Sequence, residues 1–331
     1  MKKQIAIASV PYYLAILALH LCTFSWLWVI ARQRPSLIGL GLVAYTLGLR
    51  HAFDADHIAA IDNTVRKLIH QKQKSCGVGF YFSLGHSSVV LLIIFLVNLS
   101  ADFFKEHLSF LKVLGGTAGG IISGTFLLFL AINNLIILIH LITIRKKKTD
   151  EQLEHEDVEN LLNSRGLLAK ILTPFLHMAT KSWHMYPIGF LFGLGFDTAT
   201  EIGLISLSAE NNHTLIGWNS MVFPLLFAAG MSLMDTSDSV MMSGAYNWAF
   251  AMPERKMNYN LIVTSVSIIV AFTIGAVELA QVGISTLGPL NNFGLWISTI
   301  DFNKAGIYMI LLFAALWLGS YFVWQVRKAN A

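Results

Sequence analysis

Long apolar runs constrain this sequence most, because a helix needs about 20 predominantly apolar residues to cross a bilayer. Of its 331 residues, 55% are hydrophobic and 13% charged, whereas a soluble chain carries about 25% charged residues. Eight membrane segments are predicted, at 5–30, 37–61, 78–99, 113–144, 183–207, 218–245, 259–282 and 305–326. The sequence therefore predicts an all-α integral membrane protein, and its net charge of +4 does not indicate nucleic-acid binding.

The positions of Lys and Arg predict how these segments are oriented. Counted over alternate loops, 17 fall on the side of both termini and five on the other side, with Arg50 inside segment two. Since basic loops stay in the cytoplasm, we expect both termini there and a multi-pass protein of the cytoplasmic membrane. Residues 1–331 are predicted to form a single transmembrane domain with a charged cytoplasmic loop at about 145–182.

Segments five and six carry helix-weakening residues ahead of acidic clusters. They read "YPIGFLFGLGFDTATEI" and "FPLLFAAGMSLMDTSDSVMM". Pro removes an intrahelical hydrogen bond, and Gly costs about 1 kcal/mol in a helix interior. In transporters, such interrupted segments expose backbone groups to a mid-membrane site. "AFDADHI" in segment two also resembles "GFDTATEI" in segment five, which suggests an inverted repeat of segments 1–3 and 4–6.

The stretch "RHAFDADHI", residues 50–58, places two aspartates and two histidines inside a membrane segment. Each ionisable residue in a bilayer costs about 2.5–3.5 kcal/mol on insertion scales and is a functional candidate by default. At about 100° per residue, His51, Asp54 and His57 share a face of roughly 120°, whereas Asp56 points roughly 140° from His51. The four cannot converge on one ion on a regular helix. Either the helix is locally distorted, or Asp56 serves another partner.

Further ionisable residues lie in the other segments: His20, His86, Asp197, Glu201, Asp235, Asp238 and Glu278. Imidazole and carboxylate ligands without thiolates suit Ni²⁺, Co²⁺ or Zn²⁺, whereas carboxylates alone would favour Mg²⁺ or Ca²⁺. Structural alternatives stay open. His20 or His86 alone fits a packing hydrogen bond, Asp54 or Asp56 fits an ion pair with Arg50, and Glu278 fits a position at the membrane interface.

At this point the sequence resembles the nickel/cobalt transporter family. Residues 50–58 match its "RHA[VF]DADHI" stretch with a His-x4-Asp-His core, and "FSLGHSSVV", "LGFDTATEI" and "GMSLMDTSD" follow in order. The resemblance covers essentially the whole chain and is closest to bacterial nickel permeases that supply urease and hydrogenase. It implies a secondary transporter that imports Ni²⁺, with Co²⁺ as a second substrate, and neither an enzyme nor a cofactor-dependent protein.

The same resemblance implies metal recognition by His51, Asp56 and His57. It implies contributions from a wider set: His20, His86, Asp197, Glu201, Asp235 and Asp238. Phe53 occupies the Val-or-Phe position, where a bulky ring would shape a selectivity pocket. Ser239 follows Asp238 where the family often has Gly, which leaves the role of Asp238 less defined.

Two other classes use the same ligands. A membrane metalloenzyme would be expected to show His-Glu-x-x-His or several His-x-x-His-His boxes, which this sequence lacks. A channel or sensor would bind the ion without concentrating it.

Overall fold

The computed structural model describes residues 2–99, 101–147, 179–195, 217–250, 253–288, 291–302, 304–312 and 315. Within these ranges the chain is helical and forms no β-strand, which confirms the all-α prediction. Five helices are long and apolar enough to cross a membrane, or up to six if one bent pair counts as a single span. Predicted segment five is described only to residue 195, and segment eight and the charged loop at about 145–182 lie largely outside the described residues.

The α-helices run in chain order as follows: α1 (Lys2–Ala31), α2 (Ser36–His51), α3 (Ala55–His70), α4 (Val78–Leu99), α5 (Ala101–Lys147), α6 (Met185–Gly193), α7 (Val222–Phe250), α8 (Pro253–Leu287) and α9 (Asn292–Ser298). Residues 304–312 are also helical. Several helices leave large apolar side chains exposed, including Leu14, Leu17 and Leu21 on α1. A helix that is apolar all round belongs either in a core or in a membrane.

The predicted second segment is not one continuous helix. α2 and α3 are separated at residues 52–54 and bent by 53°. Asp54 has an extended backbone (φ −65°, ψ 141°) at the N-cap of α3, a position that Asp favours. Its carboxylate contacts His51 instead of capping the helix. The local distortion considered from the residue angles is therefore present.

The helix after the bend also extends beyond the predicted end of segment two at residue 61. α3 continues to His70, and Arg66 and Lys67 are only 1% and 5% exposed. The apolar run ends at residue 61, but neighbouring helices enclose the polar turns that follow. Hydropathy alone does not detect this enclosure, because it depends on contacts between distant segments.

α7 occupies the middle of the bundle and packs against α1, α2, α3 and α4. Two glycines allow this close approach. A Cβ on Gly48 of α2 would overlap the carbonyl of Phe227, and one on Gly79 of α4 would overlap the carbonyl of Asp235. The backbones of α2 and α4 therefore contact α7 directly, which places the break between α2 and α3 beside α4 and α7.

Candidate metal centre

Three histidines from three helices meet at the break between α2 and α3. His51 ends α2, His57 lies in the first turn of α3, and His86 lies in α4. One ring nitrogen from each lies within 4.8 Å of the others, and the Nε2 atoms of His51 and His86 are 3.1 Å apart. On a straight helix His51 and His57 would be about 9 Å apart along the axis. The bend brings their ring centroids to 4.6 Å.

This spacing fits a single transition-metal ion. Imidazole nitrogens bind such an ion at about 2.0–2.1 Å, so two ligand nitrogens lie at most about 4.2 Å apart. Small ring rotations would bring all three nitrogens within that limit. His57 and His86 are 1% and 4% exposed, and the ring of His57 packs edge-on against Phe82 at 4.9 Å. The protein thus holds two of the three rings in a packed environment.

Two carboxylates face the other nitrogens of these rings. Asp54 Oδ2 lies 2.9 Å from His51 Nδ1, and Asp235 Oδ2 lies 3.9 Å from His57 Nδ1. Asp54, at hydrogen-bond distance, orients the His51 imidazole and leaves Nε2 for the metal, whereas Asp235 contributes negative charge near His57 without a hydrogen bond to it. Asp235 is 1% exposed, and neither of its oxygens has a hydrogen-bond partner in the part of the chain that is described. A divalent cation nearby would offset the cost of burying that charge.

Asp56 lies in the same region but has a different partner. Its Oδ1 accepts a hydrogen bond from the backbone N–H of His57 at 2.9 Å. Asp54 and Asp56 also lie at the N-terminus of α3, where the helix dipole favours negative charge. The break therefore brings all four candidate residues of "RHAFDADHI" to one wall, although Asp56 points away from His51 on a regular helix.

A cavity of about 320 Å³ opens beside this wall. All four residues and His86 line one side, and residues of α5 and α8 line the other. Among the latter, Glu278 accepts a hydrogen bond from Ser123. Gln281 donates through its side-chain amide to the carbonyls of Ile297 at 2.9 Å and Ile300 at 3.0 Å, which ties α8 to the α9 region.

The sequence identified only one of these cavity residues from α5 and α8. Glu278 was visible as an acidic residue inside a membrane segment, with a position at the interface as the alternative. Ser123 and Gln281 carry no charge and are common in helix packing, so neither hydropathy nor spacing distinguishes them. Their place in the cavity depends on how α5 packs against α8.

Two other predicted residues do not line the cavity. His20 lies 3.2 Å from Tyr45 Oη through Nε2 and 2.8 Å from the Ile16 carbonyl through Nδ1, and it does not line the cavity. Phe53 does not line it either, whereas Phe302 does. The backbone carbonyl of Phe53 abuts Gly306.

The remaining predicted carboxylates lie in segments five and six. Asp238 lies one helical turn after Asp235 on α7 and is not among the residues that line the cavity. Asp197 and Glu201 lie outside the described residues.

Three converging imidazoles at a broken helix, beside an internal cavity, define a helical membrane protein that can hold a transition-metal ion. Residues 37–323 match the profile of the high-affinity nickel-transport protein family. The chain therefore belongs to that family, which confirms the resemblance drawn from its motifs.

Named relatives cover nearly the whole chain. It is 46% identical over 327 residues to the nickel transporter NixA of Staphylococcus aureus, and the alignment covers 98% of this chain and 97% of that protein. It is 44% identical over 324 residues to the high-affinity nickel-transport protein NixA of Helicobacter pylori, with 96% and 97% covered. It is 34% identical over 293 residues to the cobalt transport protein NhlF of Rhodococcus rhodochrous, with 86% and 82% covered.

The family and these relatives are named as transport proteins, which confirms that the chain is a transporter and not a membrane metalloenzyme. No solved structure matches the chain.

Proposed function

We propose that this protein is a secondary transporter that imports Ni²⁺, with Co²⁺ as a second substrate, across the cytoplasmic membrane. The observation that carries the proposal is the convergence of one nitrogen each from His51, His57 and His86 within 4.8 Å beside an open cavity. Neutral imidazoles bind borderline divalent ions well and Mg²⁺ or Ca²⁺ poorly. The identity to relatives named for nickel and cobalt transport supports the same substrates.

The ion is held by the three imidazoles, with Asp54 and Asp235 behind His51 and His57. Asp56 adds negative charge to the cavity wall. Further charge comes from segments five and six, through Asp197, Glu201 and Asp238. Together these carboxylates balance a divalent cation in a medium where an unpaired charge costs several kcal/mol.

The proposed topology has eight spans in one domain over residues 1–331, with both termini in the cytoplasm. The excess of basic residues on the side of the termini supports this orientation. In this topology the ends of α5 and α8 that border the cavity face the outside, which supports an outward-open state. Segments 1–3 and 4–6 form the inverted repeat, and rocking of these two halves exposes the site inward.

The membrane potential supplies part of the driving force. A negative interior favours inward movement by about 2.3 kcal/mol per charge per 100 mV, and thus by about twice that for a divalent ion. The imported nickel supplies cytoplasmic enzymes such as urease or hydrogenase, in keeping with the permeases that the motifs resemble.

The test is uptake of radiolabelled nickel at nanomolar concentration by cells that express the wild type or His57→Ala at equal levels. We expect accumulation by the wild type, competition by excess cobalt, and loss in the variant. His20→Ala serves as the matched control, because His20 lies away from the cavity, and it should retain uptake. Full uptake by His57→Ala would refute the assignment of the site. Uptake that only equilibrates the ion across the membrane, and that an uncoupler does not reduce, would favour a channel.

A further inference from the structure

A second buried polar layer lies further along α3 than the three histidines. Asp62 is 0% exposed and accepts hydrogen bonds from the hydroxyl of Tyr246 on α7 and from that of Ser267 on α8, the latter at 2.9 Å. One carboxylate thus ties three helices together. It lies five residues beyond His57, or about 8 Å along the helix axis.

A buried cation accompanies this carboxylate. Arg66, one turn further along α3, is 1% exposed and interacts electrostatically with Asp62. Its Nη2 donates to the Asn63 side-chain oxygen at 2.8 Å, and Asn134 of α5 donates to the same oxygen. The layer therefore contains the negative Asp62 and the positive Arg66, next to the buried Lys67, at the end of α3 that faces the cytoplasm in the proposed orientation.

Carboxylates on α7 connect this layer to the metal centre. Asp235 lies 3.9 Å from His57 Nδ1, Asp238 lies one turn further along α7, and Tyr246, two turns beyond Asp238 on the same helix, donates to Asp62. Three carboxylates therefore follow one another from the histidines toward the inner layer.

Polar atoms without partners mark the same route. In the described part of the chain, both oxygens of Asp235, one oxygen of Asp238, the hydroxyl of Thr236, and Nε and Nη1 of Arg66 are buried without a hydrogen bond. A group of this kind costs about 1–3 kcal/mol to bury, and ionisable groups inside a membrane mark ion pathways. The cavity reaches His57 but is not lined by Asp235, Asp238 or Asp62. Among the described residues, the cavity therefore ends at His57.

We propose that Asp62 is an inner cation-binding residue of the transport path. A divalent ion that leaves His57 and Asp235 passes Asp238 and reaches Asp62 before it enters the cytoplasm. Tyr246 and Ser267 close this position in the outward-facing state, and Arg66 supplies the counter-charge while no ion is there. Oxygen ligands hold Ni²⁺ less tightly than imidazoles do, so an inner site of this kind favours release. The inference rests on the proposed function.

The experiment separates binding at the histidines from transport. Nickel binding to purified protein is measured by equilibrium dialysis with ⁶³Ni, and uptake is measured in cells at equal expression. We expect Asp62→Asn to bind nickel within threefold of the wild type and to lose at least nine-tenths of uptake. Asp301→Asn is the matched control, because its carboxylate is 43% exposed at the surface, and it should leave both measurements unchanged.

Each other result has a definite meaning. Uptake above half of the wild-type rate in Asp62→Asn would overturn the inference while leaving the proposed function intact. Loss of both binding and uptake in a variant that melts like the wild type would also overturn it, because Asp62 would then support the main site. Absence of nickel binding by the wild type would refute the proposed function itself.

If Asp62→Asn does not fold, Tyr246→Phe decides the question. This variant keeps the carboxylate but removes one hydrogen bond that closes the inner layer. We expect it to bind nickel like the wild type and to release bound ⁶³Ni to the cytoplasmic face of inside-out vesicles at least threefold faster. Unchanged release would overturn the inference.

Discussion

Asp235 offers the sharpest test of how the metal centre is built. Its carboxylate lies 3.9 Å from Nδ1 of His57, which places the negative charge about 8 Å from an ion bound at Nε2. At an effective dielectric constant of about 20, the attraction to a divalent ion over that distance is about 4 kcal/mol. The other carboxylates compensate for part of this loss. Removing the carboxylate behind a ligating imidazole typically weakens metal affinity about 10- to 100-fold, and we expect that range for Asp235→Asn.

The same substitution has an opposite effect on the metal-free protein. Because neither oxygen of Asp235 has a hydrogen-bond partner in the described structure, a neutral amide is cheaper to bury than the charge. Thermal unfolding without metal should therefore be unchanged or occur at a higher temperature. The assay combines ⁶³Ni equilibrium dialysis with melting of the purified metal-free protein, with Asp301→Asn as the control. Unchanged affinity, or a lower melting temperature together with weaker binding, would refute this account.

Three further substitutions test the cavity and the packing around it. Glu278→Gln should reduce uptake at low nickel concentration by about tenfold and leave the saturated rate unchanged. A negative charge that lines the approach to a site raises the local cation concentration, so an unaltered dependence of uptake on nickel concentration would contradict this. Gly48→Ala should destabilise the protein by about 1–3 kcal/mol or more, because its Cβ would overlap the Phe227 carbonyl. Gly39→Ala on the same helix is the control: its Cβ would meet nothing within 4 Å, so this variant should melt like the wild type. Phe302→Val should change competition between nickel and cobalt at least as much as Phe53→Val does, because Phe302 lines the cavity. If only Phe53→Val changed the competition, metal selectivity would depend on the break between α2 and α3 and not on the cavity.

The difference between His20 and His86 shows where sequence reasoning reaches its limit. Each is a single histidine in an apolar segment, and each fits a packing hydrogen bond. The structure brings a ring nitrogen of His86 within 4.8 Å of those of His51 and His57 and pairs His20 with Tyr45. The distinction depends on the register of α1 and α4 against α2. That register is set by backbone contacts, such as that of Gly79 with α7, and not by the residues around each histidine.

Helix α3 shows the same limit at the level of secondary structure. Asp54 is a favourable N-cap residue, yet a continuous segment was predicted because its neighbours are apolar enough to span a membrane. Hydropathy did not predict the burial of Asp62 and Arg66, because the residues around them are polar and lie beyond the apolar run that ends at residue 61. Inside the bundle, Tyr246 and Ser267 donate to Asp62, and Asn63 accepts one hydrogen bond from Arg66.

The sequence by itself determined that this is a helical membrane protein, that its candidate metal-binding residues centre on residues 50–58, and that its motifs belong to a nickel/cobalt transporter. These properties are local, since apolar length, ligand type and motif spacing are all carried by short stretches. Only the tertiary structure decided that the helix breaks at residues 52–54, that His86 joins His51 and His57, and that Glu278 lies in the same cavity. These features depend on contacts between residues far apart in the chain, which no local pattern encodes.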